Sequence, residues 1–245
     1  MFLILLTNDD GIEAEGLRCL EQCLQGIADL VVVAPDRERS AVSHGLTIHS
    51  PLELNKLAPN RYTLNGTPAD CIIYALEHLT AAIPDLVISG INHGANLGDD
   101  IIYSGTVAAA REASRHGISA LAISQAFDER PIDFDAGVKF IPQFVSNLLL
   151  QRLGSAVCFN VNIPVRKIKG AKITRQGIRS HFMQFNSLGG NSGQAPAGSA
   201  DGKRAELPLD FEVILDHYVS ITPLQRDQTD YAAAQALLLD AGRLF

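Results

Sequence analysis

The chain has 245 residues, and 47% of them are hydrophobic, which is enough to bury the core of a full globular domain. It carries 27 acidic against 20 basic residues, a formal net charge of -7. That balance argues against binding to a nucleic-acid polymer, because such proteins present a basic face to the phosphate backbone.

The first apolar run, residues 2–6, is too short to span a membrane and has no basic leader in front of it. It is followed at once by Asp9 and Asp10, so we expect neither a membrane anchor nor a signal peptide, and we expect a cytoplasmic protein. The four cysteines form no C-x-x-C pair and the seven histidines show no zinc-binding spacing. Neither a disulfide framework nor a zinc site is therefore expected.

Apolar, β-rich runs alternate with helix-length segments along the chain. This alternation predicts a mainly parallel sheet with helices on both faces, a Rossmann-like three-layer α/β fold. A first helix is expected over 14–25, and others begin near Thr67 and Ser104, which can cap them. Residues 46–57 and 61–64 predict an inserted β-hairpin. The predicted sheet strands cover residues 2–6, 29–34, 85–89, 119–124 and 156–161.

The composition changes after residue 178. Residues 179–203 are rich in Gly, Ser, Asn, Ala and Gln, which predicts a mobile loop or an extended C-terminal arm that buries little surface. A strand over 218–221 and a helix over 230–239 are expected to follow. We therefore divide the chain into an α/β core, 1–178, and a C-terminal part, 179–245.

Polar loops follow the first three predicted strands, at the edge where open α/β sheets bind their ligands. Asn-Asp-Asp-Gly at residues 8–11 places two carboxylates on one turn, which suits a hard divalent cation such as Mg²⁺ or Mn²⁺. Taken alone, these four residues are equally typical of a polar turn. The other two loops, 34–45 and 89–100, are longer than simple links need to be, and the latter is rich in glycine and asparagine.

A further ligand-binding feature is the helix start at Ser104-Gly105-Thr106. Its unpaired backbone N–H groups and positive dipole end suit a phosphate, although simple helix capping explains the same residues. There is no G-x-x-x-x-G-K-[ST] motif and no G-x-G-x-x-G after the first strand. Asn8 also replaces the first aspartate of a D-x-D motif. The sequence thus argues against P-loop ATPases, dinucleotide-binding enzymes and aspartyl-phosphate phosphatases.

Five ordered motifs lie in the first half of the chain. They are Thr-Asn-Asp-Asp-Gly-Ile at 7–12, Ala-Pro-Asp-Arg-Glu-Arg-Ser at 34–40, Asn-Gly-Thr-Pro-Ala-Asp-Cys at 65–71, Ser-Gly-Ile-Asn-x-Gly-x-Asn-x-Gly at 89–98 and Tyr-Ser-Gly-Thr-Val-Ala-Ala-Ala at 103–110. Together they resemble the SurE family, the stationary-phase survival proteins, which are metal-dependent nucleotidases. Weaker similarity continues at 160–164 and 222–224.

The resemblance implies one divalent cation per subunit, Mg²⁺ or Mn²⁺, with the ligands Asp9, Asp10, Ser40 and Asn92. It implies an enzyme that hydrolyses nucleoside 5'- or 3'-monophosphates, and the family also includes members that act on short polyphosphate. The chain departs from the family at residues 43–45, where Ser-His-Gly replaces a segment that usually contains asparagine. The resemblance therefore does not specify the contacts of that segment.

The mechanism that we expect is direct attack by water on the phosphate, with Asp9 and Asp10 as the catalytic residues that hold the cation. Whether Asp9 also acts as the base is left open by the sequence. The remaining phosphate oxygens are expected to bind to Asn96, Ser104, Gly105 and Thr106.

Other interpretations of the same residues are open. The acidic site could belong to a non-catalytic module that senses a nucleotide or metal, or the polar loops could serve assembly alone. Tyr103 and Phe127 could stack a nucleobase, but we expect each to lie in the core. The resemblance also implies homodimers or homotetramers assembled through the C-terminal part.

Overall fold

The computed structural model describes residues 1–128, 132–151, 156–165, 167–178 and 207–239. The strands are β1 (Leu3–Thr7), β2 (Asp29–Pro35), β3 (Leu54–Ala58), β4 (Arg61–Leu64), β5 (Leu86–His93), β6 (Ala120–Gln125), β7 (Cys158–Ile163), β8 (Ala171–Ile173) and β9 (Val219–Leu224). The helices are α1 (Glu15–Leu24), α2 (Pro68–His78), α3 (Gly105–Arg115), α4 (Asp135–Gln151), α5 (Asp210–Leu215) and α6 (Tyr231–Leu239), and a 3-10 helix covers Gly98–Ile102.

These strands form one sheet, in the order β3-β4-β2-β1-β5-β6-β7-β9-β8. The six strands from β4 to β7 run parallel to one another. The outer strands β3 and β9 are antiparallel to β4 and β7. The predicted α/β fold with a mainly parallel sheet is confirmed. Because six parallel strands end at the same edge, the loops that follow them meet there.

Helices cover both faces of the sheet. Ile4 and Leu6 of β1 belong to a cluster with buried residues of α1 and α4, whereas Leu5 belongs to a cluster with α2 and α3. Successive side chains of a strand point to opposite faces, so β1 contributes to both clusters and all three residues are fully buried. This two-sided burial is why β1 is a continuous apolar run rather than an alternating one.

The predicted helix starts at Thr67 and Ser104 are present. The Thr67 hydroxyl accepts a hydrogen bond from the Asp70 backbone N–H, and the Asp70 carboxylate accepts one from the Thr67 N–H. Pro68 occupies the first helical position, where its missing N–H has no cost. Ser104 caps α3 in the same way, with its Oγ accepting from the Val107 N–H at 3.1 Å.

The predicted β-hairpin is part of the main sheet. β3 and β4 pair antiparallel, and β4 also pairs parallel to β2. Residues 46–53, which we expected in the first strand of the hairpin, lie in no strand, so the prediction is wrong for this segment. Its side chains are exposed or half-buried. A strand there would add an edge to the sheet without adding to the core.

The strand predicted over 218–221 is β9, which lies between β7 and β8. The division at residue 178 stays a prediction, but β9 joins the described part of 179–245 to the central sheet. The predicted arm over 179–203 lies outside the described residues. Among the described helices, none is long and apolar enough to cross a membrane.

Candidate active site

A cleft of about 1200 Å³ opens at the carboxyl edge of the parallel strands. Six of the eight predicted site residues line it, and they come from the loops after β1 and β2, from β5 with the loop after it, and from the start of α3. The six are Asp9, Asp10, Ser40, Asn92, Asn96 and Ser104. The other two, Gly105 and Thr106, contact Asp9 instead. The three polar loops thus converge, as their positions after parallel strands predict.

Asp9 lies at the end of β1 with 5% of its surface exposed. The Thr106 hydroxyl donates to its Oδ1, and the Arg39 backbone N–H donates to its carbonyl oxygen at 2.7 Å. Burial raises the pKa of the Asp9 carboxyl from 3.8 to about 6, against the lowering effect of the Thr106 hydrogen bond, and the charge of Asp10 raises it further. The ionised carboxylate is therefore costly here without a cation beside it.

Gly105 allows α3 to approach Asp9 closely. A Cβ at this position would lie 2.9 Å from both the Cβ and the Oδ2 of Asp9, closer than side-chain atoms pack. Together with the Thr106 hydroxyl, this contact fixes the Asp9 carboxylate against the first turn of α3. The side chain of Thr106 is fully buried and committed to Asp9, so only its backbone is left for a ligand.

Asp10 is half-buried beside Asp9, and its Oδ2 accepts the His93 backbone N–H at 3.2 Å. Burial raises the pKa of the Asp10 carboxyl, the His93 hydrogen bond and charge lower it, and the charge of Glu38 raises it. Both carboxylates of the pair therefore resist ionisation in the absence of a cation.

Ser40 and Asn92 place further oxygen atoms in the same cleft. The Ser40 hydroxyl donates to Glu38 Oε1 at 2.6 Å, which leaves its oxygen lone pairs available. Asn92 donates through Nδ2 to the Gly94 carbonyl at 2.8 Å, so the amide group is oriented and its oxygen is the atom suited to a cation.

Asn96 is held by polar side chains of β6 and β7. Its Nδ2 donates to Ser124 Oγ at 2.8 Å, and its backbone N–H donates to Asn162 Oδ1 at 2.8 Å. Its carbonyl oxygen accepts from Nδ2 of both Asn160 and Asn162. This network explains the Asn-x-Asn pattern at 160–162, whose role the sequence alone did not specify.

The charge in the cleft is negative. The acidic residues that line it are Asp9, Asp10, Glu38 and Asp100. The described lining residues include no Lys or Arg, and the basic residues among them are His93 and His217. Among the residues that the structure describes, no three His, Cys, Asp or Glu side chains form a metal cluster. The donor set of two carboxylates, a hydroxyl and an amide oxygen instead fits a hard divalent cation, and fits zinc poorly.

The cleft also has an apolar wall that we did not predict. Tyr103 and Phe127 line it with 44% and 55% of their surface exposed, so the expectation that both lie in the core is wrong. The Phe127 ring packs edge-to-face on the His93 ring, with 5.2 Å between centroids. Phe211 and Leu215 of the C-terminal part add to this wall. A lone aromatic residue in a loop gives no sequence signal for such a role.

Asp210 connects the C-terminal part to the glycine-rich loop. It is fully buried at the start of α5, and its carboxylate accepts the backbone N–H groups of Gly98, Gly177 and Phe211 at 2.8, 3.1 and 2.9 Å. Burial raises the pKa of this carboxyl, and the three hydrogen bonds lower it. Asp210 gives no signal in the sequence, because it follows the Gly- and Ser-rich segment and belongs to no motif.

The sequence and the fold are both similar to known proteins. The family model of the survival protein SurE matches residues 4–183. A 5'-nucleotidase SurE of Pelobacter propionicus is 42% identical over 241 residues, covering 96% of this chain and 97% of that protein. One of Vibrio cholerae is 41% identical over 243 residues, covering 96% and 95%. The crystal structure of the SurE protein from Aquifex aeolicus superposes with a TM-score of 0.82 and 37% identity, over 97% of this chain and 99% of that one.

The raised pKa of Asp9 predicts a pH-dependent gain of stability in metal-free Asp9→Asn. At pH values above about 6 the Asp9 carboxyl of the wild-type protein is ionised although it is buried. Because its pKa is raised from 3.8 to about 6 on folding, this ionisation lowers the free energy of unfolding by about 3 kcal/mol at most. Below pH 3.8 the carboxyl is protonated in both the folded and unfolded states, so the difference disappears. We expect Asp9→Asn to be the more stable protein at pH 7.5, and to lose this advantage at about pH 4.

Urea unfolding in EDTA at the two pH values measures this difference. The control is Asp29→Asn, which removes an exposed carboxylate at the opposite end of β2 and should have little effect. Added Mn²⁺ should stabilise the wild type more than Asp9→Asn, because a ligand stabilises the folded state more the more tightly it binds to it. A metal-free wild type that is more stable than Asp9→Asn at pH 7.5 would contradict the raised pKa of the Asp9 carboxyl.

Proposed function

The chain belongs to the SurE family, and we propose that it is a metal-dependent 5'-nucleotidase. It hydrolyses nucleoside 5'-monophosphates to nucleoside and phosphate, with 3'-monophosphates and short polyphosphate as further substrates. The observation that carries the proposal is the buried Asp9 beside Asp10 in an acidic, ligand-sized cleft. Relatives that are 41% and 42% identical are named 5'-nucleotidase, which supports turnover.

One divalent cation per chain, Mg²⁺ or Mn²⁺, is held by Asp9, Asp10, Ser40 and Asn92. It supplies Lewis acidity, which offsets the charge of the phosphate and lowers the pKa of the attacking water. Asp9 and Asp10 are the catalytic residues because they fix this charge at one point of the cleft. Ser40 can contribute its oxygen while its hydrogen stays on Glu38, since the hydroxyl has lone pairs to spare.

The phosphate is held at the start of α3. Gly105 and Thr106 contribute backbone N–H groups of the first turn, where the helix dipole favours an anion. Ser104 accepts a hydrogen bond from Val107, so its own O–H is left to donate to a phosphate oxygen. Asn96 uses one amide hydrogen on Ser124 and has the second left for the substrate.

The nucleobase lies against the apolar wall of the cleft. His93 links the two ends of the site, because its backbone N–H binds Asp10 and its ring contacts Phe127. Phe127 is exposed in the same cleft as the carboxylate pair, and its ring offers a stacking surface for the base of a nucleotide whose phosphate is at the pair. Tyr103, which follows the 3-10 helix, lines the same cleft.

The alternative of a non-catalytic sensor is not favoured. Relatives that align over almost the whole chain are named as enzymes, and the family match includes all of the polar loops that line the cleft. A purely structural role would leave the buried Asp9, the half-buried Asp10 beside it and their hydrogen bonds without a purpose.

Phosphate release from AMP and 3'-AMP tests the proposed activity. Metal-stripped protein should be inactive, and Mn²⁺ or Mg²⁺ should restore turnover, with AMP the better substrate. Asp9→Asn should lower kcat/KM by about 100-fold or more, because it removes a proposed metal ligand. Loss of a residue that only supports a metal ligand already lowers metal affinity or activity by about 10–100-fold. Asp29→Asn is the matched control. Folded wild-type protein that binds AMP and metal but releases no phosphate would establish the sensor instead.

The stacking role of Phe127 is tested by comparing substrates with and without a base. For Phe127→Ala we expect KM for AMP to rise about tenfold, the loss typical of one base–aromatic stack, whereas KM for ribose 5-phosphate should move far less. Phe127→Tyr keeps the ring and should restore the wild-type KM for AMP. Ile83→Ala removes an exposed apolar side chain outside the cleft and serves as control. Equal effects on both substrates would show that Phe127 acts on the fold and not on the base.

We further propose that the C-terminal part, 179–245, assembles two or four copies of the chain. The described portion that supports this is α6, whose sequence is Tyr-Ala-Ala-Ala-Gln-Ala-Leu-Leu-Leu. Tyr231, Leu237 and Leu238 are all exposed, and such an apolar helix surface is unfavourable in water. A second copy would bury it.

Light scattering coupled to size exclusion tests this assembly. The wild type should have the mass of a dimer or tetramer, and Leu238→Glu should shift it toward the monomer because a charge cannot be buried unpaired in an apolar interface. Gln235→Glu places the same charge on an already polar position of α6 and is the matched control. A monomeric wild type at the concentration used for the activity assay would refute the proposal.

A further inference from the structure

A second cavity, of about 650 Å³, lies beside the C-terminal half of α3. Its lining combines residues of α3, the segment that follows β9, His44 and Cys158. It shares no described lining residue with the active-site cleft. The two cavities are separated along α3, because Ser114 is nine residues beyond Gly105 and thus about 13 Å further along the helix axis. Neither the family assignment nor the proposed reaction gives this cavity a role.

Three arginines surround this cavity in a chain whose net charge is -7. Arg226 donates through Nη2 to the Arg115 carbonyl at 3.2 Å, and Arg115 lies 3.6 Å from the Glu112 carboxylate. Arg111 is half-buried, and its guanidinium has no hydrogen bond or ion pair with any residue that the structure describes. A guanidinium that is partly removed from water usually pairs with an anion.

Ser114 supplies an independent observation. It lies in the wall of the cavity with only 1% of its surface exposed, and its hydroxyl has no hydrogen-bond partner among the described residues. Leaving a buried hydroxyl unpaired costs about 1–3 kcal/mol, so such groups usually mark a bound water or ligand. Ser114 and Arg111, neither of which has a hydrogen-bond partner among the described residues, line the same cavity.

The carboxylates near the cavity are already engaged. Asp227 lines it, but its oxygens accept hydrogen bonds from the Thr229 N–H and hydroxyl and from the Tyr231 hydroxyl. Glu112 is bound by His44 at 2.7 Å and by His116 at 3.2 Å. These neighbours reduce the positive charge of the cavity but leave the Arg111 donors unused.

We propose that this cavity is a binding site for a small phosphorylated anion, held by Arg111, Arg115 and Arg226 with Ser114 as a fourth donor. The planar, forked guanidinium matches the oxygens of a phosphate, and charge-assisted bonds of this kind are about twice as strong as neutral ones. The cavity has room for more than one phosphoryl group. Inorganic pyrophosphate and the diphosphate group of a nucleotide share this chemistry.

Isothermal titration of the metal-free, full-length chain with pyrophosphate tests the site. Without a cation the acidic active-site cleft repels the probe, so binding reports the second cavity. The wild type should bind one pyrophosphate per chain, and Arg111→Gln should weaken the affinity by about tenfold or more. Arg18→Gln removes an exposed arginine of α1 and should change the affinity less than about twofold. Absence of binding to the wild type, or wild-type affinity in Arg111→Gln, would overturn the proposal.

Two further variants separate anion binding from folding. Arg226→Gln alters an exposed side chain and should also weaken pyrophosphate binding without lowering the thermal unfolding midpoint. Ser114→Ala should leave the anion-free protein at least as stable as the wild type, because it removes an unpaired hydroxyl, and should weaken binding by about threefold. Unchanged affinity in both variants would place the anion elsewhere. A parallel titration with ADP distinguishes the two sources of the diphosphate group. If the site takes a nucleotide, ADP binds more tightly than pyrophosphate. If it takes the inorganic anion, ADP binds no more tightly.

Discussion

The rest of the site depends on one constraint, the burial of the Asp9 carboxylate beside Asp10. An apolar strand that is covered on both faces carries Asp9 to a position where water cannot solvate it. The Thr106 hydroxyl donates a hydrogen bond to this carboxylate, and Gly105 lets α3 pack closely against it. These contacts orient Asp9 but do not neutralise it. A cation beside the pair would stabilise its ionised form, which is why we propose the metal site there.

The parallel sheet brings the other residues of the site close to Asp9. Asp9, Ser40 and Asn92 are far apart in sequence, yet their loops meet because β1, β2 and β5 end at the same edge. Support for these loops comes from segments that are more distant still. Asn160 and Asn162 hold the Asn96 backbone from β7, and Asp210 holds the Gly98 backbone from α5. The C-terminal part thus takes part in positioning the cleft, through the buried Asp210 carboxylate and the backbone N–H groups that donate to it.

The sequence predicts those features that have a local cause. The five strand runs, the helix caps at Thr67 and Ser104 and the acidic turn at Asp9 are each visible within a few residues, because burial period and capping chemistry act locally. Phe127, Asp210 and Arg111 could not be found in this way. Each depends on a neighbour that only the fold provides: His93 for Phe127, Gly98 for Asp210, and the segment after β9 for Arg111. The prediction of a strand over 46–53 is wrong for a related reason, because β propensity does not specify whether a partner strand exists.

Two polar groups of the cleft keep opposite hydrogen-bonding capacities. Asn92 has committed its amide nitrogen and retains its oxygen, whereas Ser104 has accepted from Val107 and retains its proton. The free oxygen of Asn92 suits a cation, and the free hydroxyl proton of Ser104 suits an anion. Four carboxylates line the cleft, and its described lining residues include no Lys or Arg, so the cleft repels a phosphate dianion. A cation bound beside the carboxylates would reduce this repulsion, so the proposed metal would favour binding of the phosphate.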